Sequence, residues 1–275
     1  MTTLPSIAII GAGAMGGAIL SGLLAPDVVV EGGIRVTNRT EAKAALVRGP
    51  LVESFALEHT PDGNERAVRG ARIVLIGVKP AMVPETLASI AGALEPDALV
   101  ISVAAGVTTQ TMESLVANPV LRAMPNTPAI VGRAVTGLAA GARATEADVA
   151  LGRALFETVG TVLEVPESQI DALSTVSGSG PAYVFYFVEE FTAAATGLGF
   201  SPEDAGMLVR ETFLGAMQLL ASSGADPAEL RRQVTSPKGT TERAVAVLQD
   251  ADLEGLFARA TAAALERAKE LAAGA

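Results

Sequence analysis

Short, unbroken apolar runs alternate with helical stretches through the first part of the chain. The first run is Ser6-Ile7-Ala8-Ile9-Ile10. With no polar residue alternating through it, it fits a strand buried on both faces of a parallel sheet. Runs of the same kind occupy residues 33–36, 72–78, 98–103, 120–124, 134–138 and 161–165. An apolar helical stretch ends near Leu24, and Thr145 is placed to cap a later helix. Residues 41–57 mix apolar and charged positions without a clear period, so they predict neither element. His59-Thr60-Pro61-Asp62-Gly63-Asn64 reads as a turn-rich loop.

After Pro166 the signals become helix starts and stops. Ser201-Pro202-Glu203 and Asp226-Pro227-Ala228-Glu229 each put a capping residue before a proline at the first helical position, and Glu229 gives the second a capping-box pattern. Tyr183, Phe187 and Phe191 repeat every four residues, while Phe185 falls on another side. A helix apolar on most sides must be buried. The pattern therefore predicts an α/β chain. A Rossmann-type doubly wound, mostly parallel sheet spans residues 1–165, and an all-helical dimerisation domain spans residues 166–275.

Composition narrows the chemistry. With 275 residues and 49% hydrophobic content the chain can bury a large core, yet no apolar run is long enough to predict a membrane span. No signal peptide is recognised at the N-terminus. The absence of cysteine removes disulfides and thiol nucleophiles and predicts a cytoplasmic enzyme. His59, the only histidine, lies in a polar loop, so neither a zinc site nor a His-centred triad is expected. The net charge of −10 argues against nucleic acid. Anions must then be bound locally, by backbone amides or a few placed cations. Lys79 and Lys238, two of only four lysines, fall inside candidate site segments.

The first candidate is Gly11-Ala12-Gly13-Ala14-Met15-Gly16, directly after the first apolar run and before a helical stretch. This is the G-x-G-x-x-G fingerprint in its required context of strand, tight turn and helix, and it predicts dinucleotide binding. NAD-binding folds usually carry an acidic residue about 20 positions later for the ribose hydroxyls. Here Asn38, Arg39 and Thr40 stand near that place, with no acid from Ile34 to Thr40. A guanidinium suits a 2′-phosphate, so NADPH is expected over NADH. Lys79-Pro80 closes the clearest strand at its carboxyl end, where ligands of such sheets lie.

Two further segments are rich in small and hydroxyl residues. Val176-Ser177-Gly178-Ser179-Gly180-Pro181-Ala182-Tyr183 reads as a Pro-led helix start rather than a linker, because the next residues are too apolar for a loop. Gln233-Val234-Thr235-Ser236-Pro237-Lys238-Gly239-Thr240-Thr241-Glu242 reads as a turn into a helix whose first amides could hold a carboxylate, with simple capping by Thr240 as the plain alternative.

Taken together, these segments resemble the pyrroline-5-carboxylate reductase family. The resemblance rests on residues 11–16, Val78-Lys79-Pro80, Arg122-Ala123-Met124-Pro125-Asn126-Thr127-Pro128, residues 176–183 and residues 234–241, in order along almost the whole chain. It implies reduction of the cyclic imine of 1-pyrroline-5-carboxylate to L-proline with hydride from NADPH or NADH, by a homodimer that assembles further. It implies a cofactor site of Gly11, Ala12, Gly13, Ala14, Met15, Gly16, Asn38, Arg39, Thr40, Asn64, Val78, Lys79, Pro80, Ala104, Ala105 and Asn126. It implies a substrate pocket of Ser177, Gly178, Ser179, Gly180, Lys238, Gly239, Thr240 and Thr241, with the Thr241 hydroxyl facing the ring nitrogen as the catalytic group. No metal is implied.

One position departs from the family pattern. Lys238 stands where the first of two glycines is usual, and a positive φ there would cost a lysine roughly 1 kcal/mol or more. Other readings of the layout are a related imino-acid reductase, a β-hydroxyacid dehydrogenase and a non-catalytic NADP sensor. Such dehydrogenases use a lysine early in the helical domain, and this chain has none between Glu164 and Gln233. A sensor would not need the second anion-binding segment.

Overall fold

The computed structural model describes residues 1–272. Its first half runs β1 (Thr2–Leu4), β2 (Ile7–Ile10), α1 (Ala14–Leu23), β3 (Val28–Val30), β4 (Ile34–Asn38), α2 (Glu41–Val47), β5 (Val52–Ala56), α3 (Gly63–Val68), β6 (Ile73–Ile76) and α4 (Val83–Ile90). It continues with β7 (Leu99–Ser102), α5 (Thr109–Glu113), β8 (Val120–Met124), β9 (Ala134–Ala140), α6 (Glu146–Glu157), β10 (Gly160–Glu164) and α7 (Ile170–Leu173). Eight strands form one sheet in the order β10-β9-β8-β7-β6-β2-β4-β5. From β5 to β8 all pairings are parallel and reproduce the 3-2-1-4-5-6 order of dinucleotide-binding folds. Only β9 runs against its neighbour β8, and β10 then pairs parallel to β9.

The continuous apolar runs have a direct physical cause. Successive side chains of a strand point to opposite faces. In β2, Ile7 and Ile9 join a core with Leu20 and Phe156, while Ala8 and Ile10 join a second core with Val83, Leu87 and Met112. Each large side chain buried this way stabilises the fold by about 1.5–3 kcal/mol.

The structure adds elements that the pattern left open. Residues 41–57 fold as α2 and β5, and β5 supplies an edge strand beside β4. A small parallel pair of β1 and β3 lies outside the main sheet. Thr145 caps α6 as expected: it accepts the Asp148 N–H, and Asp148 accepts the Thr145 N–H, closing a capping box.

The chain forms two compact units, one of residues 1–179 with the segment from Ala264, the other of residues 180–263. The rest of the chain is helical: α8 (Gly180–Gly197), α9 (Pro202–Ser223), α10 (Pro227–Gln233), α11 (Thr240–Asp250) and α12 (Leu253–Ala272). Ser201 and Asp226 cap α9 and α10, each followed by proline. The capping box expected at Glu229 does not close. Its carboxylate turns forward to the Arg232 guanidinium at 2.6 and 2.8 Å, charge-assisted bonds that a neutral amide cannot match. Tyr183 and Phe187 share the ring of Phe257, and Phe191 meets Phe213. The buried core of this second unit holds only Ala195, Ala205 and Val209. Phe185 is 68% exposed, Tyr186 61% and Met217 60%. No described helix is long and apolar enough to cross a membrane.

Candidate active site

The Gly11–Gly16 segment bridges the end of β2 and the start of α1. Gly11 adopts φ +85°, a left-handed conformation, and a Cβ there would meet Val78 Cγ1 at 2.8 Å. The Gly11 and Ala12 amides donate to the Thr37 carbonyl, which pins the turn to the end of β4. Gly16 lies against the Gly11 carbonyl, so helix and strand approach closely. By contrast, a Cβ at Gly13 would meet nothing within 4 Å. The turn is thus closed against the protein and open at the residue where backbone would face a pyrophosphate. Gly13 caps α1 without a side-chain bond, so the first amides of that helix have no helical acceptor.

At the neighbouring strand end, Asn38 is 4% exposed and its Nδ2 has no partner. Asn64, in α3, has an unpartnered buried Oδ1. Two orphaned amide atoms are what a dinucleotide's adenosine half would satisfy, so these residues fit the group. Arg39 is exposed and Thr40 caps α2 without a side-chain bond. A carboxylate also sits here: Glu58 accepts the Glu41 N–H at 2.6 Å and stands 3.8 Å from His59 Nε2. His59 itself is exposed.

Further along the sheet, Val78, Lys79 and Pro80 follow β6, and Pro80 opens a short 3-10 turn to Met82. Ala104 is buried, its N–H held by the Ser102 hydroxyl, and Ala105 is exposed beside it. The two-proline turn after β8 leads into a 3-10 helix, Thr127–Val131. Asn126 is 8% exposed and both ends of its amide are used: Nδ2 donates to the Ser177 carbonyl at 2.8 Å, and Oδ1 accepts the Val135 N–H at 2.9 Å.

Pro181 is the second residue of α8, as a Pro-led helix start predicts, but the residues before it are already helical. Ser174–Gly178 is a π-helical turn running on from α7, with the Ser179 N–H donating to the Ser174 carbonyl. The hydroxyls of Ser174, Thr175 and Ser177 turn back to carbonyls three or four residues earlier. Serine and threonine do this readily inside helices, which is why a hydroxyl-rich run need not open the helix. Such wide turns interrupt regular helix at many functional sites.

This turn is tied to the sheet by ions that the sequence did not advertise. Arg122, on β8 and 3% exposed, pairs with Asp171 at 2.5 Å and Glu167 at 3.6 Å. Glu167 in turn accepts the Thr109 N–H and hydroxyl.

The other site segment lies in the second unit. Gly239 caps α11 without a side-chain bond, Thr240 and Thr241 are its first two residues, and capping by the Thr240 hydroxyl is not what is seen. The amides of Thr240, Thr241 and Glu242 lack helical acceptors, as any helix start does. Lys238 takes φ +62°, so this position does demand the left-handed conformation. Its N–H donates to the Glu242 carboxylate at 2.9 Å. No group of three or more metal-ligating side chains occurs among the described residues.

Comparison with known proteins places this geometry in context. Residues 6–106 match the family described as NADP oxidoreductase coenzyme F420-dependent, and residues 167–271 match the one described as Pyrroline-5-carboxylate reductase dimerisation. The chain is 40% identical over 271 residues to a pyrroline-5-carboxylate reductase of Pseudomonas aeruginosa, covering 98% of this chain and 97% of that one. It is 33% identical over 272 residues to the enzyme of that name from Glycine max, covering 97% and 96%. A solved pyrroline-5-carboxylate reductase of Coxiella burnetii superposes with a TM-score of 0.89 at 36% identity, covering 96% of this chain and 97% of that one. A Plasmodium falciparum pyrroline carboxylate reductase solved with NADP bound shares the fold, at TM-score 0.81 and 24% identity, over 97% and 98% of the two chains. A glycine turn on a 3-2-1-4-5-6 sheet, the helical unit and these full-length likenesses agree: the chain belongs to the pyrroline-5-carboxylate reductase family.

Proposed function

We propose that this chain reduces 1-pyrroline-5-carboxylate to L-proline with hydride from NADPH. The observation that carries the reading is the glycine turn, closed against Val78 yet open at Gly13, in a chain alike over its full length to enzymes of that name. NADPH would supply the hydride, and Gly11 to Gly16, Asn38, Arg39, Thr40 and Asn64 would hold its phosphate and adenosine parts. Val78, Lys79, Pro80, Ala104 and Ala105 would border the reacting end.

The substrate is a small anion with a basic ring nitrogen. Ser177 to Gly180 and Lys238 to Thr241 would form its pocket, with the amides of residues 239–241 on the carboxylate. An imine nitrogen is basic enough to arrive protonated, so the chain needs no histidine for this step. The Thr241 hydroxyl would orient the nitrogen or pass a proton to it. Positioning then supplies most of the rate.

Arg39 supports a preference for NADPH, because a guanidinium matches a 2′-phosphate in charge and shape. Glu58 beside the Glu41 amide works against it, so the preference is one of degree. The thinly buried second unit, with Phe185 and Tyr186 exposed, supports self-association through the helices. We read Pro166 as the start of the dimerisation portion of the sequence. The first assay is the fall in NADPH and then NADH absorbance on adding 1-pyrroline-5-carboxylate. Oxidation of neither cofactor, with binding still detectable, would overturn the reading. A monomeric mass by light scattering would overturn the self-association.

A further inference from the structure

The Lys238 conformation needs a cause. An L-residue at φ +62° crowds its Cβ against its own backbone, and such a residue persists only where neighbours hold it. The Lys238 side chain is exposed and makes no ion pair among the described residues, so it does not do the holding. The backbone does. The Lys238 N–H donates to Glu242 Oε2 at 2.9 Å, and the next amide, of Gly239, donates to the Ser236 carbonyl at 3.0 Å. Position 239 is closed to side chains, since a Cβ there would lie 2.9 Å from the Ser236 oxygen.

Glu242 is the third residue of α11, where a capping-box acid would reach back to the capping residue's amide. Here that amide is already taken by Ser236, and the carboxylate reaches one residue further. We propose that Glu242 is a positioning residue: by accepting the Lys238 N–H it holds the left-handed turn that sets the Gly239-Thr240-Thr241 backbone for the substrate carboxylate. This rests on the substrate reading given above. A second effect opposes it, because the Glu242 charge lies at the same helix start and repels an anionic ligand. The two effects separate chemically. Glutamine keeps the acceptor and drops the charge; alanine drops both.

The test is a cycle on Lys238 and Glu242, read as KM for 1-pyrroline-5-carboxylate, as kcat and as thermal midpoint. If only about a tenth of the E242A molecules keep the competent turn, the apparent KM rises about tenfold, with the NADPH dissociation constant unchanged. E242Q is expected at or below the wild-type KM. In a K238G background, where glycine takes the left-handed conformation freely, E242A is expected to change KM by less than about twofold. The thermal midpoint is expected to show the same coupling without substrate. An equal E242A effect with Lys238 and with K238G, in both KM and midpoint, would overturn the proposal. So would an E242A enzyme whose KM falls as that of E242Q does. If the wild type oxidises no NADPH while the midpoints still couple, the substrate reading fails and Glu242 keeps only its hold on the turn, which ends its proposed role toward the carboxylate.

Discussion

The side-chain amide of Asn126 donates to the backbone carbonyl of Ser177, 51 residues later in the chain, at 2.8 Å. Its other end accepts the Val135 N–H. One buried amide therefore joins the turn after β8 to the π-helical turn that carries Ser177. Aspartate at this position keeps the acceptor for Val135 and cannot donate to Ser177. Asn126→Asp is expected to raise KM for 1-pyrroline-5-carboxylate about tenfold, the worth of a bond to a buried carbonyl left unsatisfied. The NADPH dissociation constant, measured by nucleotide fluorescence, should stay within about twofold, well inside the cost of one hydrogen bond. A weakened NADPH affinity with unchanged imine KM would move Asn126 to the cofactor side.

Thr241 stands at the second position of α11, with its hydroxyl on a residue whose amide has no helical acceptor. Thr241→Val preserves shape and removes the hydroxyl. Turnover is expected to fall about tenfold to a hundredfold, at or below the low end of what a placed proton-transfer group supplies. Wild-type turnover in that variant would exclude the hydroxyl from the reaction.

Arg39 is the exposed cation beside the buried Asn38. Arg39→Ala should raise KM for NADPH about tenfold, as expected for a lost charge-assisted bond to phosphate. KM for NADH should barely move. An equal loss for both cofactors would show that Arg39 does not read the 2′-phosphate.

Asp148 couples the capping box of α6 to Arg72, 2.9 Å away. Burial pushes the Asp148 carboxyl up, but the Thr145 amide and hydroxyl and the Arg72 guanidinium outweigh it and hold it below the ordinary aspartate range. Folding therefore favours the ionised form. That stability is complete above the unfolded-state pKa and is lost as pH falls through the folded-state one. Asp148→Asn should lower stability by about 1–3 kcal/mol at neutral pH. The difference from wild type should shrink as pH is lowered through the carboxylate range. Thermal midpoints that fall in parallel for the two proteins would show that Asp148 gains nothing from its partners.

The parts of the fold legible in the sequence were those where one physical signal dominates. A strand buried on both faces has little room for a polar side chain, so 7–10 and 73–76, apolar throughout, could be read directly. β5 escaped because it is an edge strand with Glu53 exposed between buried neighbours, and α2 because Lys43 and the exposed Leu46 blur its stripe. The glycine turn was legible because φ and close approach leave no other residue possible at Gly11. Asn126 with Ser177, Arg122 with Asp171, and Lys238 with Glu242 were not. The first two pairings depend on the sheet bringing distant segments together. The third depends on which of two amides Ser236 takes first.

Arg122 has a consequence for anyone dividing the chain. Its guanidinium is buried on β8, but both of its carboxylates, Glu167 and Asp171, come after Pro166. A fragment ending at Pro166 would strand a cation inside the sheet, a loss of about 3–5 kcal/mol for a buried pair broken from one side. A fragment carried through Ser179 keeps both carboxylates. The sequence changes character at Pro166, but the charge of Arg122 is balanced only several residues beyond it.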